Sequence, residues 1–180
     1  MAAASTYVKG STSGAFAFAD GTGTPVTLTA AYDRGDLKID GISATLNELV
    51  HITRRGKYVS TLHGARRIPT VSFSAWCTNW AGSSNTAPGS ILEFVTGKGA
   101  YSANISTLGT GRPMAFKITL TVEGTNFGDT ADETVALANV VIQSVSFEES
   151  ENGSFFSFSG EILGSVLITN SSNTVTLAEI

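Results

Sequence analysis

Arg54-Arg55-Gly56-Lys57-Tyr58-Val59-Ser60-Thr61-Leu62-His63-Gly64-Ala65-Arg66-Arg67-Ile68-Pro69-Thr70-Val71-Ser72-Phe73-Ser74-Ala75-Trp76 holds two patterns that together decide the fold. Its second half alternates. Val71, Phe73 and Ala75 point one way while Thr70, Ser72 and Ser74 point the other, the period of a half-buried strand. Pro69 has no N–H, so it belongs at a strand start or edge. The first half is a basic excursion, an arm over about residues 51–68. It gathers Arg54, Arg55, Lys57, Arg66 and Arg67, five of the eleven Lys and Arg residues. In a chain only 14% charged, crowded cations repel one another unless a partner surface compensates them. Tyr58, Val59, Leu62, His63 and Ile68 are interleaved with them, and aromatic and Arg anchors in apolar surface are interface composition. The plainer reading is a solvated hairpin with no role.

Working outward, the chain reads as β almost throughout. Phe16 and Phe18 alternate with alanines, and residues 25–32 alternate around Val26, Leu28, Ala30 and Tyr32. Segments 37–40 and 44–52 read as strands split at Asp40-Gly41. Met114, Phe116, Ile118, Leu120 and Val122 share one face of a further strand. Residues 134–149 and 154–169 predict the two strands of a late hairpin, its tip at Ser150-Glu151-Asn152-Gly153, where Asn-Gly favours a type I′ turn. One helix is predicted over about 90–97, with Ser90 as N-cap, apolar Ile91, Leu92, Phe94 and Val95, and stops at Gly97 and Gly99. No repeat or linker divides the 180 residues. The expectation is a single mainly β domain, a sandwich or barrel with one flanking helix and a long protruding hairpin.

Composition narrows the function. Hydrophobic content of 42% supports a sizeable core. Low charge leaves much neutral surface, which suits self-association. The formal net charge of −4 argues against tight nucleic-acid binding by the whole chain. The N-terminus has no signal-peptide pattern and no apolar run approaches a membrane span, so no membrane association is expected.

No catalytic constellation is legible. The histidines are His51 and His63, and the one thiol, Cys77, follows Trp76 in a strand pattern where burial is the ordinary reading. No Gly-x-Ser-x-Gly elbow occurs, and two histidines with one cysteine at irregular spacing make a poor metal site. No enzyme activity, cofactor or metal is expected. Arg34-Gly35-Asp36 and the glycosylation-type triplets at Asn104, Asn152 and Asn170 are short enough to arise by chance. Glu148, Glu149 and Glu151 cluster at the late hairpin tip. Adjacent strand residues face opposite ways, so the three form an acidic tip rather than a catalytic pair. A subunit with a basic arm and an acidic tip can bind copies of itself head to tail.

Arg55-Gly56, Gly64 eight residues on, Pro69 and Val71-Ser-Phe-Ser-Ala-Trp76 make this segment resemble the tail tube (major tail) proteins of long-tailed bacteriophages. The helix near 90–97 followed by Gly99, and the hairpin from Glu133–Phe147 into Phe155–Gly160, are similar too. The likeness covers roughly residues 35–165. It implies a structural virion protein found in the phage tail. Its subunits would form hexameric rings, joined through inner strands into one β-barrel and stacked into a hollow tube that conducts DNA during ejection. It implies an arm, here Arg54, Arg55, Gly56, Lys57, Tyr58, Leu62, His63, Arg66 and Arg67, that contacts neighbouring subunits. The implied partners are the protein itself and the tape measure, tail tip or baseplate, and terminator proteins, with DNA only in transit past an acidic lumen. The basic arm departs from relatives, which often place acids near the second Gly. Glu148, Glu149 and Glu151 are the candidate counter-surface.

Two other readings stay open. One is a tail terminator of related fold, which forms a single ring and stops. The other is a β-sandwich carbohydrate-binding module, with Trp76, Trp80 and Tyr101 stacking on sugars.

Overall fold

The structure, a computed structural model, describes residues 15–25, 27–31, 37–42, 47–76, 91–122, 132–151, 153–170 and 173–178. The readings that rest on Tyr32, Arg34–Asp36, Cys77, Trp80, Ser90 and Asn152 lie outside these, as does the side chain of Trp76.

The mainly β architecture expected from the sequence is present: a curled antiparallel sheet, one short helix and a separate hairpin. The strands are β1 (Ala15–Ala19), β2 (Thr27–Ala31), β3 (Lys38–Asp40), β4 (Asn47–Arg54), β5 (Lys57–Arg66), β6 (Thr70–Trp76), β7 (Phe116–Val122), β8 (Glu133–Ser150), β9 (Gly153–Ile162), β10 (Val166–Thr169) and β11 (Thr174–Ala178). The large sheet runs β2-β1-β7-β8-β9-β6-β3, with β10 and β11 added beside β8. β4 and β5 form their own two-stranded ribbon.

Alternating residues build the core. Phe16 and Phe18 of β1 sit beside Leu120 and Ile118 of β7 in register, and all four are buried. Val71, Phe73 and Ala75 of β6 are buried too. Phe73 stacks on Phe158 of the neighbouring β9, with ring centroids 5.0 Å apart. Curling brings Phe73 across the core to Phe16 and Phe18. Each such ring removed from water contributes about 2–3 kcal/mol.

Helix α1 (Ile91–Thr96) caps one end of this core with Ile91, Phe94 and Val95. Its C-terminus is a Schellman motif. The Lys98 N–H donates to Glu93 O at 3.0 Å and the Gly97 N–H to Phe94 O at 3.2 Å, with Gly97 at φ 61°.

The 18-residue β8 changes partners midway. Residues 133–140 pair with β7, and 140–150 with β9. At the change a bulge holds Asn139 at φ 53°. The same corner breaks the strand expected over 154–169 into β9 and β10. The Leu163 N–H donates to Asn139 O, the Ala138 N–H donates to Ser165 O, and a Cβ on Gly164 would stand 2.8 Å from Ala138 O. β10 then resumes beside residues 134–137 of β8.

Candidate functional site

The ribbon β4–β5 folds on itself because its turn has the right hand. Arg55 and Gly56 take φ 50° and 74°, the type I′ geometry whose twist matches the flanking strands. Gly56 adopts it freely, whereas Arg55 holds a left-handed backbone that costs a non-glycine residue about 1 kcal/mol. Farther down, Gly64 and Ala65 together oppose Glu48, a bulge between the pairs Leu49–His63 and Asn47–Arg66. A side chain on Gly64 would collide with Val50 Cγ2 at 2.8 Å.

The ribbon has two faces, since directly paired residues project to the same side. Val50 pairs with Leu62 and Ile52 with Ser60, giving an aliphatic face. Leu49 with His63, His51 with Thr61, and Thr53 with Tyr58 make the other. There His51 Nδ1 and Tyr58 OH both hydrogen-bond to Thr61 Oγ1, at 3.0 and 2.8 Å, and the His51 and Tyr58 rings meet edge to face. Among the described residues, nothing covers either face. Exposure of the large apolar side chains runs from 39% at Ile52 to 65% at Tyr58.

The five cations of the arm are not one patch. Arg54, Arg55 and Lys57 surround the turn, while Arg66 ends β5 at the base and Arg67 follows it. At a rise near 3.3 Å per residue, tip and base are roughly 30 Å apart. Among the described residues, Arg54, Arg55, Lys57 and Arg67 make no ion pair.

The acidic residues cluster at another extremity. Glu148 pairs with Phe155, Glu149 with Ser154 and Ser150 with Gly153, and Glu148, Glu149 and Glu151 are exposed. Gly153, φ 133°, lies within β9 as the partner of Ser150. The β6–β9 ladder fixes where this tip lies relative to the arm. Thr70, just after the arm, pairs with Glu161, and Trp76 pairs with Phe155. The arm base and the acidic tip therefore leave opposite ends of a ladder about 20 Å long.

Features that the sequence reading did not reach are backbone ones. From Val141 to Ser150, β8 is hydrogen-bonded on one side only, by β9, among the described residues. Among the described residues β11 pairs only with β10, and Val175 and Leu177 are exposed on it. Unpaired strand edges invite another chain. Edge status depends on distant neighbours and leaves no local signal. The outward face of β6, β8 and β9 is a serine surface of Ser72, Ser74, Ser144, Ser146, Ser157 and Ser159, with hydroxyl pairs Ser74–Ser157 at 3.0 Å and Ser144–Ser159 at 2.6 Å. Its period-2 serines were readable.

Tyr101 corrects an expectation. It is 2% exposed and packs edge-on against Phe94 at 5.1 Å, so it offers no platform to a sugar. No helix among the described residues is long and apolar enough to cross a membrane.

The chain matches no family model, and no curated protein matches it. Its fold is similar to that of a solved structure, the sheath/tube terminator of an extracellular contractile injection system (PVC) in the extended state. The TM-score is 0.50 and the identity 8%, over 86% of this chain and 93% of the other.

Proposed function

We propose that this chain is a non-enzymatic structural subunit of a phage-tail-like particle, and that its copies close into a ring at the end of a tube, as a terminator does. The observation that carries this reading is the fold likeness to a sheath/tube terminator across nearly the whole of both chains. Chemistry supports it. Open edges on different strands, among the described residues those of β8 and of β5, suit the heterologous contacts that close rings. The serine face suits the lining of a conduit past which DNA slides without sticking, since hydroxyls release no counterions from phosphate and Lys38, the cation paired beside Ser72, is held by Asp40.

A second reading is favoured by one specific feature. The segment from Arg55-Gly56 through Val71–Trp76 resembles tail tube proteins, whose rings stack into long hollow tubes. Negative-stain microscopy of the purified protein separates the two. Rings that do not lengthen with concentration support the terminator. Long hollow filaments support the tube subunit. A monomer at every concentration overturns both.

A further inference from the structure

The β4–β5 ribbon is an unpartnered sheet with two exposed apolar faces and a cationic end. We propose that its occupant is a second copy of this chain: the ribbon of one subunit lies along the open edge of β8 in the next subunit of the ring, its tip residues Arg54, Arg55 and Lys57 against Glu148, Glu149 and Glu151. This deepens the ring-forming reading above and rests on it.

Three observations converge. The first is charge complementarity. Arg54, Arg55 and Lys57 sit around one turn with no ion pair of their own among the described residues, and Glu148, Glu149 and Glu151 sit at one exposed hairpin end in the same state. The second is separation. The arm is rooted at the opposite end of the β6–β9 ladder from the acidic tip, and among the described residues the two sets of charges make no ion pair within one subunit. That separation suits a head-to-tail, heterologous contact. The third is fit of lengths. Among the described residues, β5 covers Lys57–Arg66 and has β4 on one side only, and the open edge of β8 covers Val141–Ser150. With the two tips together, β5 runs antiparallel to β8. Strand addition then satisfies backbone groups on both edges, and Leu62 and Val59 come within reach of the half-exposed Phe147. The charges set register and direction, while the apolar side chains supply contact area.

The test uses two triple variants of the full chain. One carries Arg54→Glu, Arg55→Glu and Lys57→Glu; the other carries Glu148→Lys, Glu149→Lys and Glu151→Lys. All six side chains are exposed, and circular dichroism with a thermal melt checks that each variant folds. Each alone is expected to lose about tenfold or more of its assembled fraction by analytical ultracentrifugation at low salt, because like charges then face each other. Mixed one to one, the two variants should assemble again, since each arm finds an oppositely charged tip on the other. Wild-type assembly should weaken between about 50 mM and about 500 mM salt. If either variant alone assembles as the wild type does, the pairing is overturned while the ring stands. If both fail and the mixture fails too, the pairing is likewise overturned. A wild type that stays monomeric overturns the ring and the pairing together.

Discussion

Phe73 of β6 lies 4.7 Å from Phe16 of β1, ring centroid to ring centroid, although three strands, β7, β8 and β9, stand between theirs in the sheet. That contact closes the curl. Phe73→Ala removes a ring that also meets Phe18 and Phe158, and is expected to cost about 3–5 kcal/mol in chemical denaturation. A double-mutant cycle with Phe16→Ala should return a coupling of about 0.5–1.5 kcal/mol. A coupling near zero would mean that the two flanks do not pack across one core.

Gly160 faces inward on β9 opposite Ile142. A Cβ there would stand 2.5 Å from Val141 O and 3.2 Å from the Ile142 Cα, both backbone atoms. Backbone cannot swing aside as a side chain can, so Gly160→Ala is expected to destabilise by about 2 kcal/mol or more. An unchanged melting curve would contradict the close approach of β8 and β9.

Ser106 anchors the loop that returns from the helix to β7. Its hydroxyl donates to Pro113 O at 2.7 Å and accepts from the N–H groups of Ala115 and Leu108, at 3.1 and 3.2 Å. Ser106→Ala strands a buried amide, that of Ala115, and should cost about 1–3 kcal/mol. Hydrogen exchange at the Ala115 and Leu108 amides should accelerate by more than the global change explains.

Leu62 makes the opposite case. It is 55% exposed on a ribbon that, among the described residues, no other element packs against to any extent, so Leu62→Ser should leave monomer stability within about 0.5 kcal/mol. On the proposed pairing it should still weaken assembly, measured by sedimentation. A large loss of monomer stability would show the ribbon to be part of the core.

Much of this was legible because period-2 alternation reports burial directly. Phe16 and Phe18, Val71, Phe73 and Ala75, and Phe116, Ile118 and Leu120 are buried where their spacing puts them. Pro69 precedes β6 and accepts the Ile162 N–H through its carbonyl, as a residue without a donor should. Other features depended on tertiary neighbours. Nothing near Gly164 announces that it passes against Ala138, so 154–169 read as one strand. Tyr101 looked available to a ligand because an aromatic in a Gly-flanked loop gives no hint of the Phe94 ring above it. The arm cations looked like one cluster because neighbours in sequence stand far apart once extended into a ribbon. Asp before Gly21 is a turn signal, and the Asp20 carboxylate does accept from Thr22; that it also accepts the Ile105 N–H at 3.2 Å depends on a loop 85 positions away.

The ribbon's exposed turn has a practical side. Arg54, Arg55 and Lys57 are three consecutive cleavage points for trypsin on backbone held away from the rest of the molecule. A nick at Arg55 in a free subunit would leave two fragments held by a sheet that neither cut end helps to build. On the proposed pairing, a closed ring hides those bonds. The rate at which the chain is clipped into two bands thus becomes a clock that reads how much of a preparation is still single subunits.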